Sequence, residues 1–227
     1  MNHFDKEMES INTDLIRMGA LSERLVQDAI KALLSGDTSL ARQVVARDRQ
    51  VDNAENAISR TATRLLATNQ PVAGDLRFLS TIFRLITDLE RVADLSVNLA
   101  WRTVAINEEI GLKAPFSPLL PEMALMAQKM AAQVLAALAR RDCESALLVC
   151  QSDNDLDELN HRHYREVVEI MQKRPDLVPW GVEAILAGNY LERMGDHITN
   201  LGEEIIYIVR GEVVRHQENM KYKKTPD

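Results

Sequence analysis

The 227-residue sequence predicts an all-α fold of six long helices, arranged as two tandem, pseudo-symmetric three-helix bundles. Three observations carry that prediction. Aromatic residues make up 4% of the chain, with nine Gly and seven Pro, too few for the strands and turns of an all-β domain. Apolar residues, at 46% with 27% charged, recur near the helical period of 3.6 along most of the sequence. The whole pattern then repeats after about 105 residues, the mark of two homologous halves.

The first helix is read from Leu15, Met18, Leu25, Ala29 and Leu33, which fall on one stripe. It stops at Ser35-Gly36-Asp37, a C-terminal glycine followed by a new start. In the second helix Val44, Val51, Ile58 and Leu65 recur every seven residues, a bundle seam. Asn69-Gln70-Pro71 ends it. The third helix runs from about Val72 to Ile106 on Leu76, Leu79, Phe83, Ile86 and Leu89. Residues 108–118, with Gly111, Pro115 and Pro118, read as a linker.

The second half follows the same plan. A helix spans about Leu120 to Ala139, and Arg141-Asp142 mirrors Gly36-Asp37. Leu156-Asp157 mirrors Val51-Asp52 at the same offset of 105 residues. Lys173-Arg174-Pro175 takes the place of Asn69-Gln70-Pro71, and the last helix runs from about Pro179 to Gly211. Its Leu191-Glu192-Arg193 mirrors Leu89-Glu90-Arg91. The expected division is residues 1–110, residues 119–215 and a frayed tail, 216–227. Helices of about 30 residues reach about 45 Å, so an elongated pair of bundles is expected.

Composition excludes several functions. The net charge of −7 and the lack of a basic recognition helix disfavour nucleic acid as a partner. No apolar run is long enough to span a bilayer, and the acidic N-terminus lacks a signal-peptide core. Cys143 and Cys150 lie two helical turns apart, too far for a bridge. A cytoplasmic setting is therefore expected.

The chemistry is concentrated in acids. Glu90, Asp94 and Asn98 lie at i, i+4 and i+8 on the third helix, and Glu192, Asp196 and Asn200 repeat the spacing on the sixth. Residues so spaced share one side. Asp48, Asp52 and Glu55 line one side of the second helix. Asp153 and Asp157 do the same on the fifth, with Asn160 in the Glu55 position. Packing of adjacent helices would bring four carboxylates together in each half. Like charges at i, i+4 destabilise a helix, and a bound cation would offset that. An all-oxygen set suits Mg²⁺, Ca²⁺ or Mn²⁺, and carboxylate clusters also hold iron. The competing reading is a solvated acidic face neutralised by Arg84, Arg91 and Arg193.

Other candidates carry less. Glu158 and His161 form the only Glu-x-x-His in the chain, whereas a di-iron oxidase needs two. His197 is read as a helix-surface histidine and, in second place, as a ligand. Met123, Met126 and Met130 read as core filling. No phosphate-binding Gly-rich loop, nucleophile elbow or nucleophile–base pair is present, so no enzyme is expected.

Two segments bring a family into view. Gln70-Pro71-Val72-Ala73-Gly74-Asp75-Leu76-Arg77 resembles the hallmark that opens the third helix of PhoU proteins. Asp88-Leu89-Glu90-Arg91-Val92-Ala93-Asp94 and Leu191-Glu192-Arg193-Met194-Gly195-Asp196-His197 resemble that family's two Glu-x-x-x-Asp signatures. The second half lacks the Asp-Leu-Arg triplet after Pro175. The resemblance implies a cytoplasmic negative regulator of phosphate uptake and of the phosphate-starvation response. Its expected partners are the ATPase of a phosphate ABC transporter, a sensor histidine kinase and a second copy in a homodimer, with membrane association only through partners. It implies a multinuclear iron or zinc cluster, or lighter ions such as Mg or Mn, at Glu90, Asp94, Glu192 and Asp196. Asp48, Asp52, Asp153 and Asp157 would support them. A carboxylate-bridged metal protein and an adaptor of a different phosphate transporter remain the alternatives.

Overall fold

The computed structural model describes residues 3–110 and 119–214. Its helices are α1 (His3–Ser35), α2 (Thr38–Arg47), α3 (Arg49–Thr68), α4 (Ala73–Val104), α5 (Leu119–Arg140), α6 (Cys143–Lys173) and α7 (Val178–Arg210). No strand occurs among the described residues. The expected tail and most of the expected linker lie outside them.

The two halves start their second arms alike. Asp37 caps α2 by accepting from Leu40 N at 2.9 Å. Asp142 caps α6 by accepting from Glu144 N and Ser145 N, each at 3.1 Å. Such caps satisfy amides that the first turn leaves orphaned. The preceding residues, Gly36 and Arg141, are both left-handed, at φ +66° and +53°.

The structure departs from expectation in four places. The single second helix is interrupted at Asp48, where Val51 N donates to Asp48 O at 2.9 Å. Asp48 keeps right-handed helical dihedrals, φ −47° and ψ −50°, and α6 runs unbroken through the matching Asp153. The third arm does not yield to the linker at 108: a π-helical turn, Ala105–Ile110, prolongs α4. In the second half a single 3-10 turn, Pro175–Leu177, leads straight into α7, where the first half uses extended residues at Asn69 and Val72. Leu76 is 46% exposed, while Leu79, Ile86 and Leu89 are buried as expected.

The two bundles pack against each other. α4 packs along α7 and α1 along α5, so one apolar core runs through both halves. α4 and α7 run antiparallel, as their polar pairs show: Arg84–Glu204, Asp88–His197 and Arg102–Glu183. All five predicted stripe residues of α1 and all four seam residues of the second arm are buried. Met123 and Met130 are buried too, and Cys143 and Cys150 are free thiols.

The α6–α7 contact has a feature of its own. Gly181, Gly188, Gly195 and Gly202 fall every seven residues along α7. A Cβ at Gly195 would meet Leu156 Cδ2 at 2.5 Å, and one at Gly202 would meet Cys150 Sγ at 2.8 Å. The missing side chains let α6 approach α7 closely. The matching positions of α4 are Leu79, Ile86, Ala93 and Ala100.

Candidate metal centre

In the second half the α6–α7 contact sets one acidic row against another. Asp153 and Asp157 of α6 and Asp196 of α7 each offer a carboxylate oxygen within 4.8 Å of the others. It is the one group of this kind among the described residues. Asp153 Oδ1 is buried with no hydrogen-bond partner. Burial, then Asp196 and Asp157, push the Asp153 carboxyl from its ordinary 3.8 up to about 6, while Thr199 pulls the other way. Glu192 is raised by burial and by the three aspartates. Asp196 is raised by burial and by Asp157, against His197 and Arg193.

In the first half the row on α3 faces the row on α4. Asp48 is raised by burial, then by Asp52 and Asp94, and its Oδ1 is buried without a partner. Glu90 is pushed up to about 7, first by burial and then by Asp94, with Arg91 opposing and Glu55 adding. Arg91 reaches both of its neighbours, lying 3.5 Å from Glu90 Oε2 and 3.4 Å from Asp94 Oδ2. Thr87 Oγ1 donates to Glu55 at 3.5 Å.

All eight predicted carboxylates thus sit in two acidic clusters, four to each half. The clusters differ in a way the sequence did not suggest. The second half has Asn160 in place of Glu55, yet its aspartates lie closer together, and among the described residues no arginine bridges them as Arg91 bridges Glu90 and Asp94. The orphaned oxygens of Asp48 and Asp153 are pseudo-symmetric partners, and a buried polar atom calls for a donor or a cation. An all-oxygen donor set of this kind fits a hard cation or iron.

Several sequence assignments shift. Arg84 does not neutralise the acidic face; its Nε and Nη2 donate to Glu204, each at 2.7 Å. His197 reaches the other half instead of lying free on the helix surface: its Nδ1 lies 2.9 Å from Asp88 Oδ1 on α4. Asn200 also turns to that seam, donating to Asp88 at 3.4 Å. Glu158 and His161, the lone Glu-x-x-His, are both exposed. Sequence reasoning passed over Thr199 and the glycine seam. The spacing of seven between the glycines was the available signal, while Thr199 had none.

Among the described residues no helix is long and apolar enough to cross a membrane. The family model described as the PhoU domain matches residues 15–103 and 120–205. A phosphate-specific transport system accessory protein PhoU homolog of Pseudomonas aeruginosa is 37% identical over 213 residues, covering 94% of this chain and 88% of that protein. The Escherichia coli accessory protein PhoU is 32% identical over the same share of each. The crystal structure of PhoU from Pseudomonas aeruginosa superposes with a TM-score of 0.89 at 36% identity, covering 92% of this chain and all of that one. That of the phosphate transport system regulatory protein PhoU from Streptococcus pneumoniae gives 0.85 at 27% identity, covering 93% of this chain and 99% of that one. These relatives are named as accessory and regulatory proteins, not as enzymes. Two domain matches, one in each half, and relatives aligned along nearly the whole length establish that the chain belongs to the PhoU family.

Proposed function

We propose that this protein is a cytoplasmic accessory regulator of phosphate transport. It represses the phosphate-starvation response by linking the ATPase of a phosphate ABC transporter to a sensor histidine kinase. The observation that carries this reading is the paired acidic signature, Glu90 with Asp94 and Glu192 with Asp196, on helices that pack together at the centre of a PhoU fold. The accessory role in the names of its relatives supports the transporter side.

Each acidic cluster holds metal in this proposal. Asp48, Asp52, Glu90 and Asp94 form one site; Asp153, Asp157, Glu192 and Asp196 form the other. A cation bound there neutralises carboxylates that burial and mutual repulsion otherwise hold partly protonated. Long helix faces, with Leu125, Leu148 and Tyr164 more than half exposed, leave room for partner helices or loops.

The test is alkaline phosphatase activity in a deletion strain grown with abundant phosphate. High activity, silenced by an intact copy, supports negative regulation; low activity in the deletion strain sinks it. A copy carrying Glu90→Ala and Asp94→Ala, purified in parallel, should hold less metal by elemental analysis. Unchanged metal content with an unchanged fold removes the first metal site.

A further inference from the structure

A cleft of about 540 Å³ opens where the beginnings of α1 and α4 meet the α5–α6 turn and the end of α7. Pockets of this size accept small organic ligands. Phe78, Ile208 and Val209 supply apolar wall, and Arg77 and Arg141 bring two guanidinium groups to it. Arg77 Nε is buried with no hydrogen-bond partner. The Arg141 guanidinium stacks on Phe78, 5.7 Å from the ring centre.

Backbone strain is concentrated at the same place. Ala73, at φ +47°, and Arg141, at φ +53°, are the non-glycine residues of positive φ among those described. Ala73 directly precedes Gly74, which lines the cleft, and Arg141 lines it too. A side chain in the left-handed region carries a steric cost. The first half avoids that cost with Gly36 at the position matching Arg141. Strain of this kind, kept where a cleft opens, marks functional sites. The N-terminus of α4 has no side-chain cap, and the space beside Gly74 is open, so an anion can approach the amides of that turn.

We propose that this cleft binds a small molecule through a phosphoryl group, held between Arg77 and Arg141 beside the first turn of α4. Each guanidinium offers parallel N–H donors. A phosphoryl group has enough peripheral oxygens to engage two such forks, whereas a carboxylate has only two oxygens to share. Phe78 and the aliphatic wall suit an organic frame. Glu9 and Asp75, exposed at the rim, are placed to accept from hydroxyl or amino groups of that frame.

The experiment is calorimetric titration of the metal-free, full-length protein in EDTA, so the acidic clusters take no part. The probes are ADP, inorganic phosphate and succinate. Saturable binding of ADP is expected, weakened about tenfold or more in Arg77→Gln and in Arg141→Gly. Arg141→Gly installs the residue of the pseudo-symmetric turn and so keeps the fold; the melting curve of each variant checks this. Inorganic phosphate binding as tightly as ADP, with the same loss in both variants, supports the proposal and identifies the free ion as the source. Tighter ADP identifies an organic phosphate. No binding of either, binding of succinate alone, or ADP binding unchanged in both variants overturns it.

Discussion

Arg84 of α4 and Glu204 of α7 join the two halves through a two-pronged ion pair whose carboxylate is almost fully buried. Both bonds are 2.7 Å, and Glu204 is 2% exposed. The guanidinium also lies over the Tyr207 ring of α7, 5.7 Å from its centre.

The pair is asymmetric, and its two truncations should differ. Arg84→Ala strips two charge-assisted bonds from a carboxylate that water does not reach. Glu204→Ala leaves an arginine whose side chain is already 44% exposed. A fully buried pair loses about 3–5 kcal/mol when one partner is removed. The exposure of Arg84 discounts that toward about 2–3 kcal/mol for Arg84→Ala. Urea unfolding should place Arg84→Ala below Glu204→Ala in stability; the reverse order would contradict the burial argument.

Adding a methyl group to the glycine seam should hurt by amounts that neighbouring flexibility sets. At Gly195 the new Cβ meets Leu156, a fully buried branched side chain, at 2.5 Å. At Gly181 it meets the unbranched, half-buried Met171, whose thioether can rotate away. Gly195→Ala should therefore destabilise by about 1–3 kcal/mol, and Gly181→Ala by clearly less. Thermal melts of the two variants decide it, and equal losses would show that the seam is uniformly rigid.

Much of this was written in the sequence because the duplication doubled every signal. Asp37 and Asp142, Asp48 and Asp153, and Glu90 and Glu192 each appeared twice in register, and each pair occupies matching places. What the sequence withheld depends on long-range packing. Arg84 has acids on its own helix, but the antiparallel α4–α7 contact offers it the better-buried Glu204. Asn200 continues the acidic spacing of α7, yet twist over two turns carries it to Asp88 on the other half. The ranking of the two acidic clusters turned on helix separation, set by glycines whose role no carboxylate count reveals. The break at Asp48 has no local sequence cause.

The metal-free protein should be less stable at alkaline than at mildly acidic pH. Glu90 is raised from 4.5 to about 7, and Asp153 from 3.8 to about 6. Between those limits the folded chain keeps protons that the unfolded chain has released. Stability from that uptake is present below the ordinary carboxyl values and lost as pH rises through 6 and 7. Buried His163 acts oppositely: burial lowers its pKa from 6.5, so its contribution fades as pH falls. Melts of EDTA-treated protein should show a lower midpoint at pH 8 than at pH 6, with a smaller gap in Glu90→Gln. A gap of the same size in that variant would remove Glu90 as the source.

Metal should fill the second half before the first. Its three aspartates already place oxygens within 4.8 Å, and no arginine spans them. In the first half, a cation must displace Arg91 from Glu90 and Asp94. Binding at one hundred times the dissociation constant stabilises by about 2.7 kcal/mol. For a chain of this size that raises the melting midpoint by roughly 5–11 °C. Titration of metal-free protein with Mn²⁺ or Fe²⁺ should resolve a tighter step lost in Asp153→Asn with Asp157→Asn, and a weaker step lost in Glu90→Ala with Asp94→Ala. Arg91→Ala should tighten the weaker step and leave the other unmoved. A tighter step that survives the α6 substitutions and vanishes with the α4 ones would invert the order, showing that the added charge of Glu55 in the first half outweighs the closer spacing of the second.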